Sequence, residues 1–204
     1  MNATWLILFF SVLTWSVVHP KDYLTWILEV SPALVALVVL MATRKRFPLT
    51  RLSYVLILIH AVILMIGGHY TYAEVPLFNW LRDAFDLQRN NYDKLGHLAQ
   101  GFIPAIIARE IIIRKNIVRG DRWIRFFVMA TCLAISAFYE LIEWGVALLA
   151  GATSEAFLGT QGDVWDTQSD MAMALAGAFL ALLFLSKAQD RQIRGLAVLE
   201  EEKK

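Results

Sequence analysis

The sequence predicts an all-α polytopic membrane protein of about six transmembrane helices, with both ends in the cytoplasm. Three observations carry that expectation. Apolar residues make up 58% of the 204-residue chain and charged residues only 18%, a balance that a soluble domain of this size does not keep. The apolar residues are gathered into runs near the roughly 20 residues that a helix needs to cross the hydrocarbon core. Lys and Arg concentrate in alternate connections, as the positive-inside rule requires of a multi-pass protein.

The runs fall at about 3–18, 25–42, 52–70, 94–113, 124–150 and 167–186. In lipid every backbone polar group must be satisfied within the structure, so these runs are expected as helices rather than open strands. Residues 3–18 resemble a signal peptide in apolarity. They lack a basic leading region, and Ser16 to Pro20 make a poor cleavage site, so the run reads as a retained first helix. Little chain remains between the runs, and residues 1–204 read as a single membrane domain. The net charge of +1 gives no ground for a nucleic-acid partner, and none is expected. Cys132 is the sole cysteine, which excludes an intrachain disulfide and any multi-cysteine metal site.

Orientation follows from the loops. The second connection holds Arg44, Lys45, Arg46 and Arg51, and the fourth holds Arg114, Lys115, Arg119, Arg122 and Arg125. The tail holds Lys187, Arg191, Arg194, Lys203 and Lys204. The opposite side has only Lys21, Arg82, Arg89 and Lys94. The basic side is read as cytoplasmic. The third connection mixes Leu77, Phe78, Trp80, Leu81 and Phe85 with Arg82, Asp83 and Asp86, which predicts a short amphipathic helix on the outer surface. The fifth contains Gly151, Gly159 and Gly162 with Phe157, Leu158, Val164 and Trp165, apolar enough to dip back into the membrane. Trp26, Tyr70, Tyr72, Trp80, Trp144 and Trp165 are expected near the outer interface, and Trp123 near the inner one.

Charged side chains inside a membrane cost roughly 2.5–3.5 kcal/mol each even on insertion scales, so their positions carry information. Three clusters lie toward the outer side. Asp93, His97 and Gln100 share one face at the start of the fourth run, and Glu140 and Glu143 share a face of the fifth with Ser136. Asp163, Asp166 and Asp170 lead into the sixth and share a face if its helix begins near Asp163. The acids outnumber the outer-side cations counted beside them, Lys94 and, when protonated, His97. Such a pocket must hold protons, take up a cation or open to water. Oxygen ligands with one imidazole suit Mg²⁺, Mn²⁺, Ca²⁺ or Zn²⁺, and the expected divalent-metal ligands are Asp93, His97, Glu140, Asp166 and Asp170. The same groups suit acid–base catalysis without metal, with His97, Glu140 and Glu143 as catalytic residues. Gln100, Thr167 and Gln168 are expected to orient substrate. The ordinary alternative is a hydrogen-bonded network that holds the helices together.

Weaker features have structural readings. Arg109 and Glu110 are expected to snorkel to the inner interface, with Glu110 and Arg114 able to pair at i, i+4. His60 reads as a hydrogen-bonded core histidine. His69, near the outer end of the third run, and Glu29, near that of the second, are secondary candidates for lining the pocket. Gly96, Gly101, Gly145 and Gly177 suit close helix contact. No nucleophile elbow, P-loop or dinucleotide fingerprint occurs.

The stretches Asn91-Tyr92-Asp93-Lys94-Leu95-Gly96-His97 through Gly101-Phe102, Tyr139 through Trp144, and Phe157 through Met171 resemble the bacterial inner-membrane family that includes YjdF. The resemblance covers nearly the whole chain. It implies a multi-pass inner-membrane fold and brings no reaction with it. A more distant similarity is to VanZ-like membrane proteins, whose pattern is followed here by Asp93-Lys94-Leu95-Gly96-His97, Glu140, Asp166, Asp170 and Gly177. Glu143 and the Asp170-Met171 arrangement depart from that pattern. This similarity implies that the three clusters form one site. The expected function is action on a lipid headgroup or a lipid-linked envelope molecule. A cation- or proton-coupled carrier and a non-enzymatic envelope factor are the alternatives.

Overall fold

Side chains that a soluble protein would bury face outward here. Val35, Val38, Phe138, Leu141, Leu183 and Phe184 are all exposed, the arrangement expected when the surrounding solvent is lipid. The computed structural model describes residues 2–150 and 155–201, and the regular structure among them is helical. The helices are α1 (Ala3–Val17), α2 (Tyr23–Thr43), α3 (Arg51–Tyr70), α4 (Pro76–Ala84), α5 (Tyr92–Arg114), α6 (Asp121–Ala150), α7 (Glu155–Leu158) and α8 (Asp166–Glu201), with a 3-10 turn at Tyr72–Glu74.

Five of these, α2, α3, α5, α6 and α8, are long and apolar enough to cross a membrane. The first run forms a shorter helix: α1 has 15 residues, about 22 Å at 1.5 Å each against a core of about 30 Å. It packs along α3, where Trp5 donates its indole N–H to the Tyr54 carbonyl at 2.8 Å. Several starts are set by caps. The Asp22 carboxylate accepts from the Thr25 N–H at 2.6 Å, and the Thr50 hydroxyl accepts from that of Ser53 at 3.3 Å. The last helix departs most from expectation, running to Glu201 rather than stopping near 186. Apolarity ends there, but Lys187, Gln189, Arg191 and Gln192 are good helix formers and nothing breaks the backbone.

Helix α5 is the hub. It touches α3, α6 and α8, and its closest partner is α8. Gly101 and Gly177 make that approach possible. A Cβ on Gly101 would overlap the Ala174 carbonyl, and one on Gly177 would overlap the Leu98 carbonyl. Gly145 faces open space and serves no such contact.

The amphipathic helix of the third connection is present as α4. Its Phe78 packs edge-on against Tyr92, and Leu77 and Trp80 are exposed. Tyr72 is not an interfacial anchor. It is buried between α3 and α5, against Gly67 and Gly96, and burial holds its phenol well above the usual tyrosine range. In the fifth connection α7 packs near α2 and α6, with Phe157 buried, whereas Val164 and Trp165 are exposed. Gly151 lies outside the described residues.

At the opposite end of α5 the snorkelling expectation fails. Glu110 is fully buried. Its Oε1 accepts from the Thr50 N–H at 2.8 Å and from Arg114 at 3.0 Å, and its Oε2 accepts from the hydroxyls of Thr50 at 2.7 Å and Ser53 at 2.6 Å. The i, i+4 pair with Arg114 forms, but inside a network that ties α3 to α5. Arg109 turns to α8, reaching Gln189 at 2.9 Å and Asp190 at 2.7 Å. His69 faces α1, with its ring nitrogen 3.1 Å from the Ser16 carbonyl and its ring on Trp15, so it does not line the pocket. The packing of α3 along α1 captures this histidine, which spacing alone does not reveal.

Candidate functional site

Asp93, His97 and Gln100 occupy successive turns on one face of α5, as their spacing requires. The arrangement centres on His97. Its Nε2 lies 3.4 Å from Asp93 Oδ1 and 4.0 Å from Asp170 Oδ2. Its Nδ1 lies 3.2 Å from Gln100 Oε1 and 3.8 Å from Glu140 Oε1. Asp93, His97, Glu140 and Asp170 are all buried. Both ring nitrogens therefore face oxygen acceptors, contributed by three helices.

On the α8 side the acids are paired. Lys94 Nζ bridges Asp166 Oδ1 and Asp170 Oδ1, each at 2.7 Å. Arg89, in the segment before α5, reaches Asp166 at 2.5 Å, Asp93 at 3.1 Å, Asp163 at 3.3 Å and the Gly159 carbonyl at 3.0 Å. Desolvation opposes the Arg89 charge, but the hydrogen bond and charge of Asp166, with Asp93 and Asp170 behind it, outweigh it. The guanidinium is held above its ordinary pKa. Arg89 is the main member of this cluster that sequence reasoning misses. It stands four residues before Asp93, the spacing of a helical ion pair, but outside the apolar run, where it reads only as a loop charge. The shortage of cations expected around these acids is thus smaller than the pattern suggests.

The trio of aspartates also differs from expectation. Helix α8 starts at Asp166, so Asp166 and Asp170 share its face, while Asp163 belongs to the preceding turn and accepts from the Trp165 N–H at 2.9 Å. That turn is clamped by a reciprocal pair. Asn90 N–H donates to Gln161 Oε1, and Gln161 Nε2 donates to the Asn90 carbonyl, both at 2.9 Å. The repeated Thr-Gln-x-Asp pattern at 160–163 and 167–170 therefore places two unlike pieces, a clamp and a helix start.

On the α6 side Glu140 meets no Lys or Arg among the described residues, and its approach to a cationic group is the 3.8 Å distance to His97. Among the described residues, buried side-chain atoms without a hydrogen-bond partner include Ser136 Oγ and Glu140 Oε1, one turn apart on α6 and facing His97 through Glu140. Unpartnered buried polar atoms are rare in folded proteins and cluster where a site must meet something else. The Thr167 hydroxyl lies within hydrogen-bonding reach of Glu140. Gln168 is exposed and lies away from the cavity described next.

A cavity of about 270 Å³ opens from the other side of His97, between α2, α3, α5 and α6. Its walls are mostly apolar, including Pro32, Ala36, Leu64, Ile103, Ile107 and Ile135. Its polar lining gathers Glu29, Tyr72, Asp93, His97, Gln100, Tyr139 and Glu143, with His60 as a further polar residue. Local sequence makes this space. Ala33, Ala36 and Ala61 present only methyl groups, and Pro32 and Pro104 each interrupt a helix backbone ladder. The Leu28 carbonyl freed by Pro32 accepts instead from the Ser31 hydroxyl at 2.9 Å. Glu29 accepts from the Tyr139 hydroxyl at 3.3 Å and belongs to the site rather than to its margin.

Two groups of side chains hold ligand atoms within 4.8 Å of one another, as a metal ion requires: Asp93, His97 and Asp170, and His97, Glu140 and Glu143. Asp166 belongs to neither, its Oδ1 being engaged by Arg89 and Lys94.

A helical bundle with a lipid-facing surface and an ionisable cluster enclosed at one end defines a polytopic membrane protein with a buried polar site. The chain belongs to the family described as predicted membrane protein (DUF2238), which it matches over residues 1–191. It is 49% identical over 188 residues to the inner membrane protein YjdF of Escherichia coli (strain K12), covering 92% of this chain and 90% of that protein. No solved structure matches. Fold class and inner-membrane location thus agree with the expectation from sequence.

Proposed function

We propose that this protein carries out acid–base chemistry on the headgroup of a lipid, or of a lipid-linked envelope molecule, at the His97 end of the bundle. One observation carries the reading. The His97–Asp93 pair lies between Glu140, whose buried Oε1 has no partner, and a cavity whose far walls are apolar. Asp93 orients the imidazole from its own helix, His97 transfers the proton, and Glu140 stabilises the charge that transfer creates. Glu143 assists from the cavity, and Gln100 and Thr167 position the substrate. The alternating basic loops support an orientation with both termini in the cytoplasm and the His97 end outside, with α1 as the sixth span.

The test is reconstitution in nanodiscs made from inner-membrane lipid extract, followed by mass spectrometry of the lipids. Wild type is expected to convert at least one species, and His97→Ala and Glu140→Gln to convert none. Lipid profiles that stay unchanged with wild type would remove the enzymatic reading.

The two ligand groups favour a second reading, a divalent metal centre on His97 with Asp93 and Asp170 or with Glu140 and Glu143. It predicts that Mg²⁺, Mn²⁺, Ca²⁺ or Zn²⁺ raises Tm and that Glu140→Gln or Asp170→Asn abolishes the rise. Lys94 against Asp170 and Arg89 against Asp93 support the metal-free form, since each of those two carboxylates already meets a fixed cation. A carrier would be favoured by a polar path from His97 to Glu110. The α5 residues along that stretch include Ile103, Pro104, Ala105, Ile106 and Ile107.

A further inference from the structure

We propose that the cavity between α2, α3, α5 and α6 binds a membrane amphiphile with an amine-bearing head, its chain entering from the bilayer between α2 and α6. This deepens the reading above and rests on it only in placing headgroup chemistry at His97. Three observations support the proposal.

The first is access. Helix α2 packs on α3, and α6 packs on α5 and α8, but α2 and α6 do not pack along each other. The Tyr139–Glu29 hydrogen bond spans them at the polar end. Farther along, Ile135 lines the cavity while remaining 40% exposed. An opening there faces hydrocarbon, so the entering group is an apolar chain.

The second is shape. The cavity encloses about 270 Å³. Its walls are apolar apart from the polar group around His97, and a dry apolar space is filled favourably by chain rather than by water. Part of a lipid chain fills it, and the remainder lies in the opening.

The third is charge. Glu29, Asp93 and Glu143 line the cavity together with His97, and among the described residues its lining includes no Lys or Arg. His97 already faces Asp93, Glu140 and Asp170, so the carboxylates still outnumber the cations at this end. Arg89 and Lys94 are committed to the α8 side of Asp93. Charge interactions strengthen as water is excluded, so this end selects a cationic, hydrogen-bond-donating head and rejects an anionic one. The Tyr72 and Tyr139 hydroxyls and Gln100 supply further polar contacts.

The experiment measures binding separately from turnover. Protein in nanodiscs of zwitterionic lipid is titrated at neutral pH with dodecylamine, dodecanol, dodecanoate and butylamine, and affinity is read from the shift in Tm. Dodecylamine is expected to bind at least about tenfold more tightly than dodecanol, about 1.4 kcal/mol, with dodecanoate giving no shift. Butylamine is expected to give none either; a shift equal to that of dodecylamine would replace the amphiphile with a small free amine. The double substitution Glu29→Gln with Glu143→Gln should remove the preference for amine over alcohol. Ala36→Phe should block all chain-bearing ligands, and Ala36→Leu, a smaller change, should weaken them if the larger one fails to fold. Glu140→Gln, at a residue outside the cavity lining, should keep dodecylamine binding while losing any lipid conversion, so failure of the chemistry and failure of the binding are read separately. Equal binding of dodecanoate and dodecylamine, or undiminished binding in both Ala36 variants, would overturn the proposal.

Discussion

Glu110 and Glu140 are both buried glutamates on membrane helices, and they differ in what surrounds their oxygens. Glu110 accepts four hydrogen bonds from Thr50, Ser53 and Arg114. Glu140 faces His97 at 3.8 Å with its Oε1 unpartnered, beside Ser136 with its hydroxyl likewise unpartnered. A buried carboxylate whose lone pairs are all engaged holds helices together, and its removal strands donors around it. A buried carboxylate left short of partners adds little to stability and is retained for another purpose. Burial alone does not separate the two cases; the inventory of donors does.

The largest expected effect tests the first half of that contrast. Glu110→Ala takes an acceptor from Arg114, from the Thr50 N–H and from two hydroxyls, and should cost about 3–5 kcal/mol in denaturant titrations of the detergent-solubilised protein. A loss below about 1 kcal/mol would show that the network is dispensable and break the comparison. Arg89→Ala comes next. It removes the shared partner of Asp93, Asp163 and Asp166, but Lys94 still holds Asp166, so the expected loss is smaller, about 2–3 kcal/mol. Protease cleavage between residues 155 and 166 should accelerate in parallel, since Arg89 also binds the Gly159 carbonyl. Glu140→Gln should change stability by no more than about 1 kcal/mol while abolishing lipid conversion. A large destabilisation with conversion retained would make Glu140 the structural residue. The smallest effect belongs to Gln168→Ala. Gln168 is exposed, so stability should stay within about 0.5 kcal/mol and Tm should not move. An increase in KM for the converted lipid would restore it as a substrate contact.

Much of the fold is legible in the order of residues. The helices α2, α3, α5 and α6 fall within three residues of the apolar runs at either end, because hydrocarbon imposes both length and composition on a spanning helix. Spacing within one helix is equally readable, and Asp93, His97 and Gln100 do share a face. The counter-charges are not. Arg89 lies in a connection, where spacing says nothing about which acid it meets, and Asp163 falls outside the helix that would have aligned it with Asp166 and Asp170. His69 and Glu29 look alike as polar residues near helix ends, yet one turns to the Ser16 carbonyl of α1 and the other to Tyr139.

Local sequence dictates which segments enter the membrane and which residues of each helix share a face. Both depend on periodicity over a few turns and on the cost of exposing backbone or charge to lipid. Which carboxylates are neutralised and which are left open is decided only when the helices pack. The same holds for the cavity beside His97. Ala33, Ala36, Ala61, Pro32 and Pro104 are spread over α2, α3 and α5, and their missing volume becomes one space only in the assembled bundle. Counter-ion choice and cavity shape arise between elements distant in the chain, and no periodicity within one helix encodes them.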